Sequence, residues 1–577
     1  MPARRGVLAF VLSLLALGLA LPFVTLRRVG TSVLASAQSA VVIFDVPETL
    51  AEGPPPANSL FLAPRRRGRV TTYDVVRALR AAAADRQVAG LVLHVGSVEW
   101  GWAKIDEVRE AVCEFRDSGK PVYASLTGGG EREYLLASAA DVLAMPPTAV
   151  LQLDGLSATA TFLRGTFDKL DIRPNFVQVG RFKSGAETYT QTGMSPESRA
   201  ALGAVLDDFY ALLLDRVGEA RELGRDSVAR LLEAGPFSAG EARASGLLDT
   251  LLYDTEVDSL ALAGRGGRRR EVTFARYLGG LRTMAVGPRV ALVAAEGAIV
   301  SGRSRALPGQ EPELGSETVI EALRSARTRG SIKAIVLRID SPGGDPQAAD
   351  DIWREVERCR AVKPVIVSMS DAAASGGYYV AVAADSIVAM PATLTGSIGI
   401  YGGKFNVLGA YHKLGLNVET VSRGPHAEML SPYRDFSPEE AERFRRSLEE
   451  FYRGFVARVA RGRRLAEAEV DSLGEGRVWT GMAARERGLV DRLGGLATAL
   501  AMARAAAGLP AGQEPVVECF PRERRSLLER WVEDFVLRDE EAAAWMELPP
   551  MLRAWATVAR LPAGAPLAIM PYRVEVR

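Results

Sequence analysis

Ser375, followed by Gly376 and Gly377 and then by Tyr378-Tyr379-Val380-Ala381, places a hydroxyl ahead of small and apolar residues. A serine so placed can stand at the first turn of a helix, where unpaired N–H groups and the helix dipole favour developing negative charge. A serine that merely caps a helix has the same local appearance. A nucleophilic serine also needs a base. Of the three histidines, His94 lies in an apolar strand-like run, His412 in a helix-like stretch and His426 in a Gly/Pro loop, and no nearby motif makes a Ser/His/Asp triad of them. Lysine is the alternative, provided burial lowers its pKa from about 10.4 toward 7 or 8 at roughly 1.4 kcal/mol per unit. Lys183, in Val179-Gly180-Arg181-Phe182-Lys183-Ser184-Gly185, follows an apolar strand-like run and is the best candidate.

The two residues belong to different halves of a duplicated chain. Gly90-Leu91-Val92-Leu93-His94-Val95-Gly96-Ser97 recurs as Ala334-Ile335-Val336-Leu337-Arg338-Ile339-Asp340-Ser341 at an offset of 244, as does Ala139-Ala140-Asp141 as Ala383-Ala384-Asp385. Farther on, Met194-Ser195-Pro196-Glu197 recurs as Phe436-Ser437-Pro438-Glu439 and Gly246-Leu247-Leu248-Asp249 as Gly488-Leu489-Val490-Asp491, at an offset of 242. A fixed period of this kind marks an internal repeat. In that register Glu131 stands opposite Ser375 and Pro425 opposite Lys183. One copy keeps the lysine and lacks the serine, the other the reverse, which is what a single site shared between the copies would leave. The copies also differ after a central strand, where Asp340-Ser341-Pro342-Gly343-Gly344 faces Gly96-Ser97-Val98-Glu99-Trp100. A Gly-Gly turn there can aim backbone N–H groups at a ligand as an oxyanion hole does, although Pro-Gly turns are also common as plain turns.

Within each copy, apolar β-branched runs (41–46, 290–294) alternate with helical stretches, which predicts an α/β domain built on a largely parallel sheet. Thr71 with Asp74 and Thr318 with Glu321 have capping-box spacing, and long helices are expected over about 197–220 and 439–459. The segment 255–288 lacks apolar periodicity and reads as a connector. The expected plan is an anchor at 1–29, a first repeat at 38–254 supplying the base, the connector, a second repeat at 289–510 supplying the nucleophile, and a tail at 511–577. Within the tail, 524–532 has the pattern of an amphipathic helix.

Gly6–Leu26 is an uncharged run of 21 residues between Arg4-Arg5 and Arg27-Arg28, long enough to cross a ~30 Å hydrocarbon core as a helix. A cleaved signal peptide is the rival reading, since Ala35-Ser36-Ala37 fits a cleavage pattern, but its apolar region is normally shorter. Arginines at both ends leave the orientation unassigned. With 71 basic and 70 acidic residues, charge offers no footprint for nucleic acid. Cys113, Cys359 and Cys519 are too scattered for a disulfide framework or a Cys-x-x-Cys metal site.

Ser-Pro-Gly-Gly, Ala-Ser-Gly-Gly-Tyr-Tyr and Gly-Arg-Phe-Lys-Ser together resemble the long, two-repeat form of the signal peptide peptidase A family, within the Clp protease/crotonase fold. The resemblance runs from the anchor to about residue 510. It implies a serine peptidase with Ser375 as nucleophile and Lys183 as base, and with Ser397, in Thr395-Gly396-Ser397-Ile398-Gly399, orienting the lysine. Backbone N–H groups of Gly343 or Gly344 and of Gly376 would form the oxyanion hole, with no metal or organic cofactor. It further implies a single-pass protein of the bacterial cytoplasmic membrane with its body on the outer face. That body would be a homo-oligomer, a tetramer, acting on cleaved signal peptides and other short hydrophobic peptides. Two other readings stand beside it: a crotonase-like acyl-CoA enzyme, since fold does not fix function, and a non-catalytic membrane scaffold.

Overall fold

The computed structural model describes residues 39–54, 70–264, 267–281, 287–306, 312–510, 515–521 and 566–569. The expected anchor and the amphipathic stretch 524–532 lie outside the described residues, among which no helix is long and apolar enough to cross a membrane.

The first repeat is built on β1 (Ala40–Asp45), β2 (Val88–Val95), β3 (Val122–Leu126) and β4 (Val142–Met145); β5 (Arg173–Val179) leaves that sheet, and β6 (Thr250–Leu251) and β7 (Arg270–Thr273) complete it. The order is β7-β1-β2-β3-β4-β6, every pair parallel. The second repeat uses β8 (Arg289–Glu296), with β9 (Ala298–Val300) turning away from it, and β10 (Ile332–Ser341), after which β11 (Gly343–Gly344) also departs. Its sheet continues through β12 (Val365–Ala374), β13 (Ser386–Ala389) and β14 (Leu394–Gly396), while β15 (Ile400–Asn406) crosses to the first repeat; β16 (Val478–Thr480), β17 (Arg492–Leu493) and β18 (Val516–Phe520) fill the edges. The order is β16-β14-β12-β10-β8-β18, with β13 beside β12 and β17 beside β13, all parallel except β14 with β16. The last described strand is β19 (Pro566–Ile569).

Parallel strands covered on both faces must be apolar on both faces, and residues 41–44 of β1 and 334–337 of β10 are. Val41, Val42, Val336 and Leu337 are at most 1% exposed, and each such side chain stabilises the fold by roughly 1.5–3 kcal/mol. The covering helices start and stop where their caps dictate. Thr71 caps α1 (Thr72–Ala84) in a capping box with Asp74, and α2 (Trp102–Asp117) and α3 (Glu131–Ala137) follow. Ser195 caps α4 (Pro196–Arg221), which ends at the left-handed Glu222; α5 (Asp254–Leu262) packs against the first sheet. In the second repeat come α6 (Ser316–Thr328), α7 (Pro346–Arg360), α8 (Gly376–Ala381), α9 (Pro438–Arg463, capped by Ser437) and α10 (Leu496–Ala506).

Three sequence expectations change. Helix α6 begins at Ser316 with Gly315 as its cap, so Thr318 is not a cap; its hydroxyl instead accepts the N–H of Ser304 at 2.9 Å. The presumed connector 255–288 belongs to the first repeat: α5 covers the sheet as α10 does in the second repeat, and β7 pairs with β1 as β18 pairs with β8. Likewise the presumed tail starts inside the second sheet. Short edge strands carry too few residues for apolar alternation to show, so the one segment reads as a connector and the other as a tail.

A third sheet ties the repeats together. Its order is Glu313–Gly315, then β9, β11, β19, β15 and β5. Here β5 of the first repeat lies antiparallel to β15 of the second over seven residue pairs, from Val179↔Ile400 to Arg173↔Asn406.

Candidate active site

Strand β12 ends at Ala374, and Ser375 follows as the cap of α8 with φ 53° and ψ −113°. A non-glycine residue in such a conformation costs on the order of 1–3 kcal/mol and persists only where its surroundings hold it. Here the Ser375 N–H donates to the Gly396 carbonyl at 2.8 Å, and its own carbonyl accepts the Tyr379 N–H at 2.8 Å. The hydroxyl is thereby turned off the strand rather than along it.

The lysine comes from the other repeat. The β5–β15 ladder sets Val179 beside Ile400, so the turn after β5 lies against the turn before β15. Lys183 Nζ stands 2.7 Å from Ser375 Oγ and donates to Ser397 Oγ at 2.9 Å and to the Ser397 carbonyl at 3.1 Å. Lys183, Ser375 and Ser397 are all 0% exposed. Glycines make this approach possible: a Cβ on Gly476 (φ 83°) would fall 2.5 Å from the Lys183 Cβ, and one on Gly399 would fall 3.2 Å from its Cδ.

Burial pushes the Lys183 amine well below its ordinary pKa, with no carboxylate among the described residues to oppose it. An ammonium has three donors, whereas a neutral amine has two and a lone pair. Three oxygens meet Nζ, and two of them, on Ser397, can take the two N–H groups of the neutral amine. The lone pair then faces the Ser375 hydroxyl.

The glycines expected to supply oxyanion donors are placed around the same serine. Gly376 heads α8, where a backbone N–H has no acceptor within the helix. A Cβ on its neighbour Gly377 would stand 2.9 Å from the Ser341 carbonyl, so the helix start and the Ser341-Pro342-Gly343-Gly344 turn touch. The Gly343 N–H donates to Ser341 Oγ at 3.2 Å. Gly344 has no room for a side chain, since its Cβ would fall 2.1 Å from the Ile299 carbonyl.

The histidines stand elsewhere. His94 bonds Asp45 at 2.8 Å and Asp258 at 2.9 Å, and His426 lies near Glu439 and Glu440.

Sequence reasoning missed a set of buried charges behind the site. Lys104, on α2 of the first repeat, donates to Asp340 at 2.9 Å and stands 3.4 Å from Glu52 and 3.7 Å from Asp371. Asp340 immediately precedes Ser341, and Asp371 lies four residues before Ser375 on β12. Asp371 also accepts the N–H groups of Gly101 and Lys104 at 3.0 and 2.8 Å. Beside them, the fully buried Arg338 donates to Glu52, Glu107, Ser368 and Ser370. Burial pushes Asp371 up to about 6 and Glu296 up to about 7; it also acts on Glu52, but Arg338 and Lys104 overcome it and hold Glu52 at about 2. The available signal was Lys104, Asp106, Glu107 and Arg109 standing among Trp102, Ile105 and Val108, charges interleaved with apolar residues.

Residues 114–263 and 357–510 match the model of Peptidase family S49, one stretch in each repeat. The chain is 36% identical over 457 residues to a protein named Serine protease SPPA, chloroplastic, of Arabidopsis thaliana, covering 77% of this chain and 67% of that one. It is 34% identical to Protease 4 of Salmonella typhi, covering 75% and 71%, and 31% identical to Protease 4 of Haemophilus influenzae, covering 83% and 81%.

Proposed function

The chain belongs to peptidase family S49 and is a serine peptidase, and from that premise we propose that it cuts peptide bonds with Ser375 as nucleophile, Lys183 as general base and Ser397 as the residue that orients the lysine. The observation that carries this assignment is the 2.7 Å approach of Lys183 Nζ to Ser375 Oγ across the repeat boundary. Neutral Lys183 takes the hydroxyl proton as Oγ attacks the peptide carbonyl, and N–H groups of Gly376 and of the Gly343–Gly344 turn meet the oxyanion. The lysine ammonium returns that proton to the departing amine. Lys183, neutral again, takes a proton from the water that attacks the acyl-enzyme, and returns it to Ser375 Oγ as the acyl–oxygen bond breaks. None of these steps needs a metal or organic cofactor.

In this reading the substrates are short hydrophobic peptides, cleaved signal peptides among them. Supporting it, aromatic rings gather on the β5–β15 ladder near Lys183: Phe176 packs 5.1 Å from Phe405 across the ladder and 5.4 Å from Tyr189 of the short helix Glu187–Thr190, between ring centroids. Residues 1–29 would tether the body to the outer face of a bacterial cytoplasmic membrane, where it works as a homo-oligomer, a tetramer by family resemblance. Each repeat is read as a Clp protease/crotonase-type domain, a reading that its largely parallel sheet and covering helices support.

Hydrolysis of a fluorogenic hydrophobic peptide by wild type and by Ser375→Ala, matched for thermal unfolding, is the test. Turnover in wild type and none in the variant is expected; equal turnover in both would remove Ser375 as the nucleophile.

A further inference from the structure

Strand β19 is the only described part of the chain beyond residue 521, and its position is informative. It lies antiparallel to strands on both sides, with Ala568 opposite Gly344 and Ile569 opposite Gly343 on β11, and Leu567 opposite Tyr401 and Pro566 opposite Gly402 on β15. One neighbour is the Gly-Gly segment of the expected oxyanion turn. The other starts three residues after Ser397. In the sheet order β11 and β15 meet only through β19, so between them is a slot one strand wide.

A slot with an open edge on each side accepts an extended peptide by strand addition, with main-chain hydrogen bonds holding it. Resting on the peptidase reading above, the geometry points to Pro566–Ile569 as an intrachain occupant of the substrate cleft, which an incoming peptide must displace. Its sequence suits the place: Pro566-Leu567-Ala568-Ile569-Met570 is wholly apolar, as the proposed substrates are. It is joined to the second sheet through the 45 residues from 521 to 565, so it competes for the slot as part of the same chain. A tethered ligand competes at an effective concentration in the millimolar range, so even a weakly held strand raises the apparent KM without touching kcat.

The double variant Leu567→Pro/Ala568→Pro tests this in the full chain, because proline donates no N–H and does not sit within a central strand. With the fluorogenic hydrophobic peptide, KM is expected to fall about threefold or more with kcat unchanged, the size set by the tether competition. An unchanged KM would overturn the inference. A second arm does not depend on turnover: in a Ser375→Ala background, a labelled peptide spanning residues 563–572 should bind the double variant several-fold more tightly than the chain with its tail intact. Equal binding in that arm would overturn the inference, whereas absence of turnover in every form would instead count against the peptidase assignment. A chain ending at Gly564 should behave as the double variant does; if it keeps the wild-type KM, the tail is not the occupant.

Discussion

Tyr134 in the first repeat and Tyr378 in the second each send a hydroxyl to a carbonyl at 2.9 Å, of Leu247 and Leu489. Asp249 and Asp491 accept the N–H of Leu143 and of Ile387 at 2.7 Å, while Lys120 and Lys363 each reach the carbonyls at the end of a neighbouring helix. These bonds hold strand ends and helix ends in place, and they have survived duplication. The difference begins where strand gives way to helix at Ser375. In the second repeat Ser375 carries a hydroxyl, and Gly377 lets the Ser341 carbonyl come close, where a Cβ would stand 2.9 Å from it. In the first, Glu131 accepts the N–H groups of Asp154 and Gly155 at 3.0 and 2.9 Å, and Glu133 accepts those of Val98 and Gly130 at 3.0 and 3.1 Å. The first repeat has bonded carboxylates in the place where the second has Ser375 and Gly377, and its Lys183 reaches across to the second, 2.7 Å from the Ser375 hydroxyl.

The division of labour is broken most sharply at that lysine. Lys183→Met is expected to lower kcat on the order of 10⁴-fold while the two repeats stay docked, since removing one member of a catalytic unit disables the whole. In wild type, kcat/KM should rise with pH to a plateau reached well below 10.5, because burial depresses the lysine and only its neutral form can act as base. A rate still climbing at pH 10.5 would mean that Lys183 is an ordinary solvated lysine and not the base.

How much of this was legible in the sequence follows from what kind of force sets each feature. The sheets were legible because a strand buried on both faces must be apolar throughout, as Val290 to Ala294 is. The pair Ser375 and Lys183 was legible only through the duplication: each alone is an unremarkable residue, and their complementary loss across the copies is the signal. Edge strands such as Arg270–Thr273 were not, because position in the sheet defines them rather than pattern. Nor was β19 legible, since its four residues take strand form by lying between two edges that the chain assembles from residues more than 160 positions away.

Lys104 sharpens the comparison at the next scale. Its counterpart at an offset of 244 is Ala348, so the second repeat has no charge at that position; Lys104 is the cation that meets Asp340 and Asp371, while Arg338 of the second repeat meets Glu52 and Glu107. Lys104→Met leaves Asp340, Glu52 and Asp371 facing one another without it, a loss expected to cost about 3–5 kcal/mol in denaturant unfolding. The cost should depend on pH in a stated direction. Asp371 and Glu296, held at about 6 and about 7 by burial and partly relieved by Lys104, keep protons that the unfolded chain releases near 4, so stability falls as pH rises through that window. Without Lys104 both carboxyls move up further, and the variant should lose more at pH 8 than at pH 5. A loss under about 1 kcal/mol, the range of a solvated surface pair, would show that the cluster does not hold the repeats together.

The smallest effect tests whether the first repeat's site is truly retired. Glu131→Ser restores the residue type found at Ser375, but the position of the missing base is taken by Pro425 in an irregular segment of the second repeat. The variant should therefore gain no turnover, even when Ser375→Ala silences the working site. What it should lose is stability, about 1–3 kcal/mol, because the shorter hydroxyl leaves the Asp154 and Gly155 amides without their acceptor. Burial holds the Glu131 carboxyl above its ordinary pKa, so its contribution is fullest at acid pH and is lost as pH rises past 4.5 toward the folded-state value. The gap between wild type and variant should accordingly narrow from pH 4 to pH 8 in thermal unfolding. A gap that widens instead would mean that Glu131 acts as a charge in the folded chain, and that the first repeat has kept its pocket for an electrostatic purpose rather than closed it.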